Sequence, residues 1–231
     1  MGSYWLDALG RLPESIKTGD KSPDPRFDGD FFHFLEQNKE AGVLFDNSMM
    51  ELTRSFVPAI LAEYDFSGCG HIVDVGGGTG FLLYSILEQY PHVEGTLFDV
   101  PVVIEKSENK PTDKCRYISG NFFESVPATG DLYILKLILH DWNDGKCIQI
   151  LKNCRKAMQP GNKLLLLEFT INEDYESQFV RIYLDLLMMV MLNGQERSAG
   201  DLNTLLGASG FRMTRLIPTR STISIVEAVA S

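Results

Sequence analysis

The sequence predicts an α/β protein with a mostly parallel, doubly wound sheet, a closing antiparallel hairpin and a helical lead-in. Apolar, strand-like runs alternate with helix-like segments through the middle of the chain. A glycine-rich turn joins the first of these runs to a helical pattern, as in the first βα unit of a nucleotide-binding domain. A short polar turn joins the last two strand-like runs, as in a hairpin. We expect seven strands in total.

The composition fits an ordinary globular chain. Its 231 residues are 44% hydrophobic and 23% charged, with a formal net charge of −10. Because phosphate binding needs a basic face, this charge argues against a nucleic-acid partner. No apolar run reaches the ~20 residues of a membrane span and no signal-peptide pattern is present, so we expect no membrane partner and a cytoplasmic location.

The cysteines and histidines indicate neither disulfides nor a metal site. The four cysteines form no C-x-x-C pair and are expected to be free structural thiols in a reducing compartment. The four histidines are scattered along the chain, without the spacing of metal ligands. We therefore predict no metal.

The front of the chain is expected to be helical with one loop. Residues 4–11 form a short amphipathic segment, and residues 17–27 carry the glycine and prolines of a loop. Helical patterns follow, the longest over residues 48–64. We divide the chain into a lead-in, residues 1–64, and a main domain, residues 65–231. The lead-in either covers one edge of the sheet or also walls a ligand pocket.

The main domain alternates strands and helices. Strands are predicted from short apolar runs, and helices from apolar residues three or four positions apart. The first expected strand is the apolar run from His71 that ends in the acid Asp74. The others are Val93–Phe98, Cys115–Ser119, Asp131–Leu139, Lys163–Thr170, Phe211–Ile217 and Thr222–Val229. The expected helices are Phe81–Leu87, Asn143–Met158, Ile182–Leu192 and Ser198–Gly207.

The turn after the first strand reads Asp-Val-Gly-Gly-Gly-Thr-Gly over residues 74–80. Glycines let the chain turn sharply and let its backbone approach a ligand, and the helix start leaves unpaired N–H groups there. The dinucleotide fingerprint G-x-G-x-x-G fails, because Phe81 stands where its third glycine belongs. The spacing instead resembles the first motif of S-adenosylmethionine-dependent methyltransferases. An unliganded structural turn is the alternative.

Ligands of open α/β sheets bind outside the carboxyl ends of the strands. Besides the glycine turn, those ends carry Asp99, residues 120–122, residues 140–142 and Glu168. Asp99 is placed to accept hydrogen bonds from a ribose, or else it caps the following helix. Lys136 is unusual within an apolar strand, because an unpaired buried ammonium is costly. It either touches the cofactor or pairs with a nearby acid.

His140 is the candidate for acid–base chemistry. Histidine takes a proton near neutral pH, and a phenol loses its proton more easily beside a base. Glu168 and Glu196 are the candidate partners that would orient the ring. A buried structural histidine is the alternative. In the apolar helix that follows the fifth strand, Met188 and Met189 belong either to the core or to a substrate pocket.

In their order along the chain, these motifs resemble the metal-independent class I S-adenosylmethionine-dependent O-methyltransferases. That family includes acetylserotonin, caffeic acid and bacterial polyketide-tailoring O-methyltransferases, and the resemblance runs from about residue 20 to the C-terminus. The motifs are Asp-Val-Gly-Gly-Gly-Thr-Gly at 74–80, Phe-Asp-Val-Pro at 98–101, Gly-Asn-Phe-Phe at 120–123, Leu-His-Asp-Trp-Asn-Asp at 139–144, Leu-Glu at 167–168 and Gly-Gln-Glu-Arg at 194–197.

The resemblance implies a fold, an activity and site residues. It implies a Rossmann-like methyltransferase domain that transfers a methyl group from S-adenosylmethionine to a hydroxyl of a small, aromatic or polyketide-type molecule of secondary metabolism. His140 resembles the catalytic base, with Glu168 and Glu196 as flanking carboxylates. The expected cofactor-binding residues are Asp74, Gly76 (facing the methionine part), Gly78, Gly80, Asp99 (on the ribose), Val100, Asn121, Phe122 (on the adenine) and Lys136. The expected substrate-pocket residues are Asp141, Trp142, Asp185, Met188 and Met189.

Two departures from the family pattern stand out. Asn121 replaces a common Asp, and its amide oxygen can still accept a bond from the adenine amino group, so we expect cofactor affinity to be altered but kept. Family members also carry an N-terminal helical dimerisation domain that closes the partner's pocket, whereas this chain starts near the linker. We therefore expect a fragment or a domain of a larger multi-enzyme, dimeric if that domain is present and otherwise monomeric or part of the larger enzyme.

Two functional alternatives stay open at this point. One is a tailoring enzyme of the same fold that binds S-adenosylmethionine but performs hydroxylation or decarboxylation. The other is a non-catalytic domain that binds the cofactor within a larger protein.

Overall fold

The computed structural model describes residues 9–18, 31–107, 113–171, 179–192 and 194–231. Its strands are β1 (His71–Val75), β2 (Glu94–Asp99), β3 (Cys115–Ser119), β4 (Leu132–Lys136), β5 (Lys163–Glu168), β6 (Thr170–Ile171), β7 (Arg197–Ser198), β8 (Phe211–Pro218) and β9 (Ser224–Ala230). Its α-helices are α1 (Leu12–Thr18), α2 (Phe31–Gln37), α3 (Lys39–Glu63), α4 (Phe81–Gln89), α5 (Pro101–Ser107), α6 (Asp144–Ala157), α7 (Phe179–Leu192) and α8 (Ala199–Ala208).

Within the described residues, the main sheet has seven strands in the order β3-β2-β1-β4-β5-β9-β8. Strands β1 to β5 pair in parallel, while β9 runs antiparallel to both β5 and β8. The chain leaves β1 towards β2 and β3, and then crosses back to β4 on the other side of β1. This change of direction places a ligand crevice at the carboxyl ends of β1 and β4. The predicted doubly wound fold with a closing hairpin is confirmed.

The fourth and fifth strands are shorter than predicted. Strand β4 ends at Lys136, because Leu137 has a φ of 53° and the chain then enters a 3₁₀ turn, Leu139–Asp141. The apolar run continues past the strand because Leu137 and Leu139 are themselves buried. Strand β5 ends at Glu168, and the residues after it form β6, which pairs in parallel with β7 in a separate small sheet.

The lead-in helices differ from the prediction in their bounds. Helix α3 begins at Lys39 rather than at Ser48, because the Asn38 side chain caps it by accepting a bond of 3.2 Å from Ala41 N. Helix α1 reaches Thr18, beyond the predicted start of the loop at Lys17. The rest of that loop and most of the amphipathic segment from Tyr4 lie outside the described residues.

The lead-in packs on the main domain in two places. The C-terminal half of α3 contributes Phe56, Val57 and Ile60 to the core on one face of the sheet. The earlier helices surround α7 instead, where Phe31 packs in one cluster with Leu187, Met188, Val190 and Met191. Helix α7 begins at Phe179, earlier than the predicted Ile182.

Two further expectations concern the membrane and the thiols. Among the helices of the described part of the chain, none has the length and apolar character to cross a bilayer. All four cysteines are free thiols, as expected, and three of them are buried.

Candidate active site

The glycine turn between β1 and α4 is built from glycines in the left-handed region. Gly76, Gly78 and Gly80 have φ angles of 68°, 60° and 78°, which other L-residues adopt only with strain. A Cβ on Gly76 would lie 2.6 Å from Ile138 Cδ1 and 3.5 Å from Phe122 Cε1. The turn therefore requires glycine both for its backbone conformation and for its close approach to the neighbouring residues.

Asp99, at the end of β2, ties this turn to the next helix. Its Oδ2 accepts a hydrogen bond of 2.8 Å from Gly78 N, and its Oδ1 accepts one of 2.7 Å from Val100 N. Burial raises the pKa of Asp99 to about 6, although these two backbone bonds act in the opposite direction. Each carboxylate oxygen of Asp99 thus accepts one backbone hydrogen bond and keeps a lone pair for a further donor.

Asp74 is the most unusual buried acid of the site. Its side chain is fully buried at the end of β1, and neither oxygen has a hydrogen-bond partner among the described residues. Burial raises its pKa to about 7, against the opposing charge of Lys136. A buried carboxylate without partners is costly, so these oxygens mark a place where a polar ligand would be held.

Lys136, at the end of β4, lies within reach of four acids. Burial lowers its pKa, while the charges of Asp74, Glu168, Asp141 and Asp99 raise it, Asp74 most strongly. Its ammonium nevertheless makes no ion pair or hydrogen bond with any residue that the structure describes. Lys136 therefore lies between the glycine turn and His140 and is not paired with any single one of these four acids.

The turn after β3 brings together aromatic side chains. Asn121 Oδ1 accepts a bond of 2.9 Å from Phe123 N, so the side chain of Asn121 caps its own turn. Phe123 and Trp142 meet edge-to-face with ring centroids 4.8 Å apart. Phe32 of the lead-in stacks on Trp142 at 5.5 Å. Trp142, expected in the substrate pocket, thus connects α2 with the rim of the sheet.

His140 lies on the 3₁₀ turn after β4, surrounded by carboxylates. Its Nδ1 is 2.9 Å from Glu196 Oε1, and its Nε2 is 3.4 Å from Asp141 Oδ1. Glu168 holds the backbone of the turn, because its Oε1 accepts bonds of 3.2 Å from Ile138 N and 2.9 Å from Leu139 N. Glu196 is therefore the ring partner of His140, while Glu168 supports the turn that carries it.

The donor atoms of His140, Glu168 and Glu196 lie within 4.8 Å of one another, so the same set could also coordinate a metal ion. Both Glu168 Oε2 and Glu196 Oε2 are buried without a partner among the described residues. The hydrogen bond from His140 Nδ1 to Glu196, however, already gives this set an arrangement typical of proton transfer.

The charges around His140 determine its protonation. Burial lowers the pKa of His140, but the carboxylates of Asp141, Glu196 and Glu168 outweigh burial and raise the pKa to about 10. Burial likewise raises the pKa of Asp141 to about 6 and that of Glu168 to about 7. The carboxylates around the ring therefore favour its protonated, imidazolium form.

Three of the expected substrate-pocket residues, Asp185, Met188 and Met189, lie in two different environments. Asp185 Oδ1 accepts a bond of 2.7 Å from Glu196 N, so this acid holds the backbone of the ring partner of His140. Met188 is buried in the cluster between α7 and the lead-in, and Met189 is partly buried against it. The methionines thus pack in a core that adjoins the site.

Arg197 is a site residue that the sequence reasoning missed. It is only 3% exposed, and its guanidinium donates to main-chain oxygens on both sides of His140. Its place directly after Glu196, inside the Gly-Gln-Glu-Arg motif, is the sequence signal that could have found it.

The chain is similar to known proteins over most of its length. Residues 18–212 match the O-methyltransferase domain family. The chain is 40% identical over 229 residues to phenazine O-methyltransferase PhzM of Lysobacter antibioticus, covering 97% of the chain and 66% of that protein. It is 39% identical over 232 residues to O-demethylpuromycin-O-methyltransferase of Streptomyces alboniger, covering 96% and 62%. The chain thus spans about two thirds of the length of these curated relatives.

Solved structures show the same fold. The crystal structure of LaPhzM has a TM-score of 0.94 at 39% identity and covers 98% of this chain and 70% of that one. Human N-acetylserotonin methyltransferase, solved in complex with SAM, has a TM-score of 0.88 at 26% identity and covers 97% and 66%. The chain belongs to the O-methyltransferase domain family, as the resemblance of its motifs predicted.

Proposed function

We propose that the chain is the catalytic part of an S-adenosylmethionine-dependent O-methyltransferase that methylates a hydroxyl of a small aromatic or polyketide-type molecule. The observation that carries this is the hydrogen-bonded pair of His140 and Glu196 on the same rim of the sheet as the glycine turn. Residues 65–231 would bind the cofactor and perform the transfer, and the lead-in of residues 1–64 would support the substrate side.

The cofactor site fits the residues present. The positive-φ glycines leave room for close approach of a ligand, and Asp99 keeps free lone pairs for ribose hydroxyls. Asp74 offers buried oxygens that have no partner in the described part of the chain. Gly76, Gly78, Gly80, Asp99, Val100, Asn121, Phe122 and Lys136 would hold S-adenosylmethionine together with Asp74. When bound, this cofactor supplies an electrophilic sulfonium methyl group.

His140 would take the proton of the substrate hydroxyl at Nε2. The hydrogen bond from Nδ1 to Glu196 orients the ring and stabilises its charged form. The surrounding carboxylates raise the pKa of His140 well above that of a free histidine, so the ring is a stronger base than an isolated imidazole. The imidazolium can therefore stabilise a bound phenolate, and its neutral form can accept the proton from a phenol.

The relatives support an aromatic acceptor. NcsB1, 29% identical, was crystallised with SAM and 2-hydroxy-5-methyl naphthoic acid, and PhzM is named for phenazine. RosA, 30% identical, is titled an N,N-8-amino-8-demethyl-D-riboflavin dimethyltransferase, so an aromatic amine belongs among the acceptors to be tested. Trp142 and its aromatic neighbours, beside His140, would contact such a flat ring.

The proposal includes the assembly of the protein. A homodimer would form where a dimerisation domain is joined to the chain, and otherwise the chain would act as a monomer or as a domain of a larger enzyme. The net charge of −10 argues against a nucleic-acid partner. The free thiols suit the reducing cytoplasm, where the enzyme would act in secondary metabolism.

The test is methyl transfer from labelled S-adenosylmethionine to a panel of phenols and one aromatic amine, with this chain and with a longer chain. A product heavier by one methylene unit supports the proposal. A hydroxylated or decarboxylated product would show the atypical chemistry instead. Absence of S-adenosylmethionine binding by calorimetry, in both chains, would contradict the proposal altogether.

A further inference from the structure

We propose that Arg197 is a positioning residue for His140, which holds the main chain that presents the imidazole to the substrate. This inference rests on the proposed function, because it concerns the base of that reaction. Arg197 lies at the start of the small parallel sheet formed by β6 and β7, where it pairs with Thr170. That pairing fixes its backbone directly beyond the end of β5.

The guanidinium of Arg197 spans the turn that carries His140. Its Nη1 donates to Leu139 O at 2.7 Å, and its Nη2 donates to Trp142 O at 2.7 Å. These two carbonyls flank His140 and Asp141. Because the guanidinium is planar and rigid, its two bonds fix the distance between both ends of the turn.

The position of the guanidinium is itself fixed. Its Nε and Nη2 donate to Asp144 Oδ1 at 3.1 and 2.8 Å, at the start of helix α6. The side chain of Arg197 is 2% exposed, so water does not compete for the two carbonyls. An arginine that is charged, buried and bonded in this way tolerates little movement of the turn around it.

The residues before Arg197 hold the same turn by their backbone. Gln195 N donates to His140 O at 2.9 Å. A Cβ on Gly194 would lie 2.0 Å from His140 O and 2.7 Å from the carbonyl carbon of Asp141, so only glycine permits this approach. Residues 194–197 therefore contact the backbone of His140, and Glu196 also contacts its imidazole ring.

The turn has few backbone hydrogen bonds of its own, so bonds from outside it contribute much of its support. Its two internal backbone bonds, Asp141 N to Ile138 O and Trp142 N to Leu139 O, are both 3.2 Å long. Leu137, just before it, adopts a positive φ. Glu168 bonds the N–H groups of the turn and Arg197 bonds its carbonyl groups, so the two side chains together define the position of the imidazole.

The experiment compares Arg197→Lys, Arg197→Met and Arg197→Ala in the complete chain. Because a base misplaced by about 1 Å costs about 10²-fold in rate, we expect kcat to fall about 10²-fold in all three. The affinity for S-adenosylmethionine, measured by calorimetry, is expected to change much less than kcat, because most of the residues proposed to bind it lie in the glycine turn and after β2 and β3, away from the turn that Arg197 holds. Added guanidinium is expected to restore part of the rate of Arg197→Ala but not of Arg197→Met, in which the methionine side chain fills the site.

Arg155 provides a matched control. It also donates to main-chain oxygens, those of Met158 and Gly210, both at 3.2 Å. It lies in the last turn of α6, shortly before β5 begins at Lys163, whereas His140 follows the carboxyl end of β4. Arg155→Ala should lower the free energy of unfolding while leaving kcat and its pH profile unchanged.

A readout independent of turnover separates this inference from the proposed function. The pKa of His140, followed by NMR titration, should change in Arg197→Ala, return with guanidinium and stay constant in Arg155→Ala. This result would support the positioning role even if no acceptor were methylated. An unchanged titration of His140 in Arg197→Ala, or equal losses of rate in Arg197→Ala and Arg155→Ala, would overturn it.

Discussion

His140 Nε2 lies 3.4 Å from the Oδ1 atom of Asp141, the next residue in the chain. The opposite ring nitrogen is bonded to Glu196, so Nε2 is the nitrogen that would meet a substrate hydroxyl. The atom that would take the substrate proton therefore faces a carboxylate. After burial, which lowers the pKa of His140, the largest single effect is the charge of Asp141, which raises it, and Glu196 raises it both by its hydrogen bond and by its charge.

Asp141→Asn is expected to lower the pKa of His140 from about 10 towards neutrality, because a neutral amide no longer stabilises the imidazolium. The pH at which kcat/KM rises should then move to lower values. The measurement is the pH profile of kcat/KM, alongside an NMR titration of His140. An identical profile in both proteins would show that Asp141 does not control this proton.

His140→Ala is expected to reduce the rate of methyl transfer by about 10²–10⁴-fold, the usual contribution of a general base. S-adenosylmethionine affinity should change little, because the glycine turn and Asp99 lie on β1 and β2. Single-turnover kinetics and calorimetry measure the two effects separately. Turnover at the original rate would remove His140 from the mechanism.

His140 should also make the stability of the protein depend on pH. Its folded pKa of about 10 lies above the ordinary 6.5, so its charge stabilises the fold fully below pH 6.5, and this stabilisation is lost as pH rises through 10. Urea unfolding of the original protein and of His140→Gln, at several values across this window, measures it. The difference in unfolding free energy between them should shrink with rising pH, and a constant difference would refute the prediction.

Asp99→Asn tests whether Asp99 acts by holding the glycine turn. An amide has one accepting oxygen, so either Gly78 N or Val100 N loses its partner. The free energy of unfolding should fall by about 1–3 kcal/mol, the cost of one unsatisfied buried donor. S-adenosylmethionine affinity should fall as well. Weaker cofactor binding at unchanged stability would instead assign Asp99 to the ribose alone.

Glu227→Gln addresses a buried network away from the site. Burial favours a raised pKa for Glu227, but hydrogen bonds from Arg215, Thr214 and Tyr64 lower it to about 2. We expect the substitution to lower the free energy of unfolding by about 2–3 kcal/mol without changing methyl transfer.

Because of the same network, the contribution of Glu227 to the free energy of unfolding depends on pH with a sign opposite to that of His140. Its stabilisation is complete above the ordinary pKa of 4.5 and is lost as pH falls through 2. Urea unfolding from pH 2 to 6 measures it. If the variant and the original protein lose stability in parallel below pH 4.5, Glu227 is not the group responsible.

Local patterns in the sequence predicted most of the fold. Strand β3 has the predicted bounds, and the glycine turn lies where the spacing of its glycines placed it. These features depend on neighbouring residues: apolar runs for buried strands, and glycines where φ is positive. For the same reason the motifs at the strand ends predicted the family and the rim on which the site would form.

Only the tertiary structure decided which acid contacts His140. The sequence offered Glu168 as the first candidate and Glu196 as the second, yet Glu196 bonds the ring and Glu168 bonds the turn. The end of β4 and the role of Arg197 were equally hidden, since Arg197 bonds a carbonyl 58 positions away. Such contacts depend on how distant segments pack, and no local periodicity encodes that distance.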